Sequence, residues 1–238
     1  MIYINLGRRE LGKSTLALFM VLKLRKRAIL DPRRMIRRTG ERIEYVTTIA
    51  EMRDALQAMV FDDESDEVIY QPVEDDLDDA FEQFTRALKA IVIQLPESEL
   101  GIFIDEASFY NLETPTFMWL AKCSLRDYTH IIVTAHQPKD IPTGLRAIAD
   151  HWFIFYTTQE TDLAKIAEKS PDAAREAKRL KGRAYVHWDD TKAKLAINSN
   201  PDSWFVAMRS ATAITATPVA PDGGEIVSKT PLFDDEER

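Results

Sequence analysis

No stretch constrains the fold of this chain more than residues 1–19, MIYINLGRRELGKSTLALF. An apolar run, Ile2 to Leu6, leads into Gly7-x4-Gly12-Lys13-Ser14, the G-x4-G-K-[ST] spacing of a phosphate-binding loop. That spacing dictates local structure. A buried strand must deliver the chain to Gly7, where the turn needs a residue without a side chain. Arg8, Arg9, Glu10 and Leu11 then wrap a polyphosphate with their N–H groups turned inward. A helix opening near Lys13 aims its own N-terminal N–H groups at the same anion. Gly7 to Thr15 is therefore the expected nucleotide-binding set. Within it, Lys13 carries positive charge to the β- and γ-phosphates of ATP, and the Ser14 hydroxyl is a Mg²⁺ ligand.

The rest of the chain reads as strands alternating with helices. Thr15 to Leu24 is apolar nearly all round, as a helix buried against a sheet would be. Short buried strands are expected at Ala28–Asp31, Ile43–Thr47, Val68–Tyr70, Leu100–Glu106, His130–Thr134 and Trp152–Tyr156. Ile49 to Met59 has helical spacing. In Asp75 to Leu95 the apolar residues Leu77, Phe81, Phe84, Leu88, Ile91 and Leu95 recur at steps of three and four, behind an acidic first turn. Helices also fit part of Thr114 to Ser124 and Glu160 to Leu180, the latter broken near Pro171. Arg183–Trp188 and Lys194–Asn198 alternate like a small hairpin. The pattern implies an α/β chain with a largely parallel central sheet. It dissolves near Pro201. We expect one domain over 1–200 and a flexible acidic C-terminal tail over 201–238.

At 238 residues the chain can bury a full core, and 45% apolar with 29% charged residues is ordinary for a soluble globular protein. The single cysteine, Cys123, excludes an internal disulfide, and the four histidines lack metal-ligand spacing. No run reaches membrane-spanning length and no signal peptide opens the chain, so stable membrane insertion is not expected. Charge is unevenly placed. Residues 1–60 hold thirteen Arg/Lys against six Asp/Glu, net +7, whereas residues 61–110 hold two against fifteen, net −13. The basic run from Lys23 to Arg42, with Arg33, Arg34, Arg37 and Arg38 at its centre, has the density to hold a phosphate backbone. It could equally be a solvated face or a counter-patch to the acidic stretch.

A second motif narrows the chemistry. The strand Leu100–Ile104 ends in Asp105-Glu106. Asp105 suits a Mg²⁺ ligand in the way of phosphate-loop ATPases. Glu106, where the chain leaves the sheet, can act as general base on a water facing the γ-phosphate. The strand His130–Thr134 runs into His136 and Gln137. We expect Gln137 to be the amide that hydrogen-bonds the γ-phosphate or the water, and His136 to be packing or supporting. No N-K-x-D base-reading motif argues for a GTPase, and no G-x-S-x-G elbow makes Ser108 a nucleophile.

Gly7-x4-Gly12-Lys13-Ser14, Asp105-Glu106 and Gln137-Pro138 together resemble the FtsK/HerA superfamily of DNA-pumping ATPases. Ile29-Leu30-Asp31-Pro32 and Val68-Ile69-Tyr70-Gln71-Pro72 look similar too, so the resemblance covers about residues 1–160. Within the superfamily the compact length is similar to the genome-packaging ATPases of tailless icosahedral viruses with an internal membrane. The resemblance implies a RecA-like (ASCE) P-loop NTPase fold and ATP hydrolysis with Mg²⁺ in a homo-oligomeric ring, expected as a hexamer. It also implies double-stranded DNA and viral capsid or portal vertex proteins as partners, and a place in the host cytoplasm or with the virion. Arg126 is where it would put an arginine finger serving the neighbouring subunit, with Arg146 as second candidate. The chain departs from the family inside the loop, where relatives have a further small residue and this chain has Arg8-Arg9-Glu10-Leu11. An ATPase of phage extrusion, conjugation or secretion is the related alternative, and a small-molecule P-loop kinase is the alternative of a different class.

Overall fold

The computed structural model describes residues 1–62, 64–73, 75–94, 99–123 and 128–198. The expected tail, 201–238, lies outside the described residues. A nine-stranded sheet forms the centre, in the order β3-β4-β2-β5-β6-β1-β7-β8-β9. Its strands are β1 (Ile2–Leu6), β2 (Lys26–Leu30), β3 (Ile43–Val46), β4 (Glu67–Tyr70), β5 (Leu100–Ile104), β6 (Thr129–Ala135), β7 (His151–Phe155), β8 (Tyr185–Asp189) and β9 (Lys194–Asn198). The pairings among β1 to β7 are all parallel. The hairpin β8–β9 adds two antiparallel strands at the β7 edge. β5 is buried at every position, as a strand covered on both faces must be.

Among the described residues seven α-helices connect the strands: α1 (Lys13–Val21), α2 (Ile49–Gln57), α3 (Leu77–Gln94), α4 (Pro115–Cys123), α5 (Thr143–Ile148), α6 (Glu160–Ala167) and α7 (Pro171–Ala177). Local chemistry explains several boundaries. Thr48 and Glu51 form a reciprocal capping box at the start of α2. The break between α6 and α7 is set by Ser170, which accepts from the Ala173 N–H, and by Pro171 in the first turn. The apolar stripe of α3 buries Phe81, Phe84, Leu88 and Ile91. Helix α5 was not legible as a periodic segment, because only Leu145 of its six residues is buried.

The two faces of the sheet are covered differently. Residues of α2 to α7 pack with Ile2, Ile4, Leu30, Ile102 and Val133 in one large core. The opposite face meets α1 through Ala17 and Val21, and Ile36 from the segment between β2 and β3. That segment crosses the face as extended chain and turns. It runs from the C-terminal end of β2 to the start of β3, and it carries the central arginines of the basic run.

Candidate active site

Strand order and register assemble the site. Leu30 pairs with Ile104, Ile104 with Val133, and Leu6 with Ala135. The residues just past those ends, Gly7, Asp31, Asp105 and His136, therefore line one edge of the sheet. Gly7 (φ 148) and Gly12 (φ 96) take backbone conformations that side chains disfavour, and a Cβ on Gly7 would lie 2.6 Å from Phe155 Cβ. Glu10 is held at φ 64. Gly12 caps α1 without any side-chain hydrogen bond, which leaves the first N–H groups of the helix turned to the loop.

Lys13 lies across the cradle and is 6% exposed. Its ammonium donates to the Arg8 carbonyl at 2.7 Å and faces His136 Nδ1 at 3.4 Å. Burial pushes its pKa down to about 8, opposed by the charges of Glu106 and Asp105, with Arg33 and Arg9 adding to the depression. The helix is further anchored by the buried Asn5 amide, which donates to the Lys13 carbonyl at 3.2 Å.

Asp105 accepts from Ser14 Oγ at 2.7 Å and from Thr134 Oγ1 at 2.6 Å, both on Oδ1. Burial raises its pKa, the two hydroxyl bonds lower it, and the charges of Glu106 and Asp31 raise it again. Thr134 also accepts from the Glu106 N–H at 2.9 Å, which locks the turn after β5 to β6. Hard oxygens of Ser14 and Asp105 in contact fit a divalent cation such as Mg²⁺.

Glu106 stands at φ 63, ψ 64, a left-handed conformation that costs a non-glycine residue about 1–2 kcal/mol. The turn aims its carboxylate back over the site. One oxygen contacts His136 Nε2, and the other pairs with Arg33 at 3.1 Å. The guanidinium of Arg33 also lies over the Phe109 ring, 5.4 Å from its centroid. A continuous polar chain thus runs Arg33–Glu106–His136–Lys13.

The structure brings Lys13, Ser14, Asp105 and Glu106 together. Of the two residues after β6, it is His136 that contacts Lys13 and Glu106. The amide of Gln137 donates instead to Gln159 Oε1 at 2.9 Å, and its N–H donates to Asp140 at 2.9 Å. Arg146 is held within its own corner, on the Pro138 carbonyl at 3.2 Å and Thr143 Oγ1 at 2.9 Å. Arg126 lies outside the described residues. Arg8 reaches Thr158 Oγ1 at 2.9 Å, while Arg9 and Glu10 are exposed.

The basic run does not form one patch. Arg34 donates to the Pro72 carbonyl at 3.1 Å, and Arg37 to Gln71 Oε1 at 3.5 Å. Arg38 and Arg27 both hold the buried Glu67. Lys26 and Arg42 pair with Asp66. Much of the surplus charge of residues 1–60 therefore meets acids of the 61–110 stretch inside the molecule. Sequence reading placed Arg33 in the basic run and gave His136 only a packing or supporting role. Pairing across four separate strands, with no spacing signal, is what joins them to the site.

No protein-family model matches the sequence, and no curated protein matches it. Solved structures do. The genome packaging NTPase B204 from Sulfolobus turreted icosahedral virus 2, in complex with ATP-gammaS, is similar at TM-score 0.64 and 19% identity, over 83% of this chain and 95% of that one. Its complex with AMPPCP is similar at TM-score 0.65 and 20% identity, over 83% and 96% of the two chains. The bacterial conjugative coupling protein TrwBdeltaN70 is similar at TM-score 0.57 and 10% identity, over 84% of this chain and 85% of its own. These neighbours are FtsK/HerA-type ATPases, and the chain has their α/β RecA-like fold. Among the described residues no helix is long and apolar enough to cross a membrane.

Proposed function

We propose that the chain is a Mg²⁺-dependent ATPase that works as a homo-oligomeric ring to move double-stranded DNA, most specifically into a viral capsid. The observation that carries the ATPase reading is the meeting of Lys13, Ser14, Asp105 and Glu106 at one sheet edge beneath a glycine-cornered loop. The DNA-packaging part is supported by the likeness in fold to the packaging NTPase B204, which spans 95% of that chain. A conjugative role is the second reading, supported by the likeness to TrwBdeltaN70. One domain over 1–200, a flexible tail over 201–238, and work at a capsid or portal vertex in the host cytoplasm belong to the same proposal.

In this reading the loop N–H groups and the start of α1 bind the phosphates. Lys13 leaves the Arg8 carbonyl for the β- and γ-phosphate oxygens. Ser14 and Asp105 would hold Mg²⁺, which would supply charge neutralisation for the phosphates. Glu106 takes the proton of the attacking water, and His136 and Thr134 hold its turn and carboxylate in place. Arg126 or Arg146 of a neighbouring subunit completes the site.

Hydrolysis measured with and without double-stranded DNA, alongside mass in solution, tests the proposal. We expect Mg²⁺-dependent turnover, acceleration by DNA of any sequence, and a ring-sized assembly. Phosphate transfer to a small acceptor by a monomer indifferent to DNA would replace the motor with a kinase.

A further inference from the structure

Arg33 sits in neither the phosphate loop nor a strand, yet it touches the residue read as the general base. Its position is built, not incidental. The carboxylate of Asp31, fully buried at the end of β2, accepts from the N–H groups of Met35 at 3.2 Å and Ile36 at 2.8 Å, and from the Gln71 amide at 2.8 Å. Those bonds fold residues 31–36 into a fixed turn, and the turn directs Arg33 across to the end of β5. There the guanidinium pairs with Glu106 and lies over Phe109, two contacts on the same short turn. Its neighbours Arg34, Arg37 and Arg38 point elsewhere, to Pro72, Gln71 and Glu67.

With Arg33 on one oxygen and His136 on the other, both oxygens of Glu106 are engaged. A water that is to give its proton to the arginine-held oxygen competes with that ion pair, so release of Arg33 would free the oxygen for the water. The side chain of Arg33 is 32% exposed against 7% for Glu106, so its open side is available to an incoming anion. Arg33 pairs with Glu106 and is near enough to act electrostatically on Lys13, as Glu106 is too. A terminal phosphate carries more charge than a carboxylate and matches the guanidinium fork.

We propose that Arg33 is a cis sensor of the γ-phosphate: a bound nucleoside triphosphate draws its guanidinium from Glu106, so that binding of the triphosphate and release of the base are one event. A diphosphate lacks the group that competes and leaves Glu106 held. The proposal rests on Glu106 being the base, and its test is kept separate from that reading by measuring binding instead of turnover.

The experiment is a thermodynamic cycle with Mg²⁺ and two probes, AMPPCP and ADP, on the full chain. Glu106→Gln weakens the internal competitor, so AMPPCP should bind about tenfold more tightly than to the unmodified protein, with ADP unchanged. Arg33→Gln should weaken AMPPCP about tenfold and leave ADP unchanged. In the double variant the gain from Glu106→Gln should vanish, because nothing remains to be released. ADP binding serves as the control for an intact fold, and Arg33→Lys takes the place of Arg33→Gln if that control fails. Persistence of the Glu106→Gln gain without Arg33 would overturn the proposal. So would equal weakening of AMPPCP and ADP in both Arg33 variants. If Glu106→Gln turned over normally while the cycle held, the base assignment would fall and the sensor would stand.

Discussion

Glu106 and Glu67 are the same chemistry put to two uses. Both are buried carboxylates held by arginines, and the segment between β2 and β3 supplies one arginine to each, Arg33 to Glu106 and Arg38 to Glu67. They lie at opposite ends of the two strands that flank β2, Glu67 opening β4 and Glu106 following β5. The surroundings differ. Glu67 sits in regular strand, fully buried, with Arg27 and Arg38 each 17% exposed. Glu106 sits on a left-handed turn near the ammonium of Lys13, and the side chain of its Arg33 is 32% exposed. A carboxylate in a closed cage is an element of stability. One placed on a strained turn beside a phosphate cradle is available for exchange of partners, and that availability is what chemistry requires.

Substituting the two glutamates should separate these roles most sharply. Removing a general base costs about 10²–10⁴-fold in rate, so Glu106→Gln should keep nucleotide binding and lose turnover on that scale, with its unfolding midpoint close to that of the unmodified protein. Glu67→Ala should do the reverse. It strands two cations away from water and should destabilise the fold by about 3–5 kcal/mol, read by denaturant unfolding. Near-normal turnover in Glu106→Gln, or unchanged stability in Glu67→Ala, breaks the comparison at the member concerned.

A smaller effect comes from Lys13. Its pKa is depressed to about 8, so in the free protein the ammonium is fully formed only below that pH. Polyphosphate binds the charged form and restores its pKa. ATP affinity should therefore be flat below about 8 and fall above it, approaching tenfold per pH unit, or about 1.4 kcal/mol. Calorimetry near pH 9 in two buffers of different ionisation enthalpy should show proton uptake on binding. A flat affinity from pH 7.5 to 9.5 would mean that Lys13 keeps its proton without the nucleotide.

The smallest effect tests the backbone. At Glu106 (φ 63) glycine avoids the strain, so Glu106→Gly should be more stable than Glu106→Ala by about 1 kcal/mol, although both are inactive. At Glu67, in regular strand, the order should invert, since glycine weakens a strand interior. Equal stabilities at Glu106 would remove strain from the account of the site.

The glycine-cornered loop before α1, the strand ending in Asp105, most of the strands and helices, the break at Pro171 and the closing hairpin were legible in the residues alone. Each of these depends on contiguous residues: glycine where φ is positive, proline where an N–H is absent, apolar residues at the period of one element. Tertiary structure decided what sequence could not. It chose His136 over Gln137 to contact Lys13 and Glu106, because the turn after β6 sends the Gln137 side chain to Gln159. It divided the basic run between the pocket of Glu67, Asp66 and the site itself, where charge density alone left a phosphate-binding run, a solvated face and a counter-patch to the acidic stretch equally open. It set Arg33 against Glu106 because β2 and β5 are neighbours in register in the sheet, Leu30 beside Ile104. Strand order and register are settled by the packing of the whole core, and no local pattern encodes which two strand ends will meet.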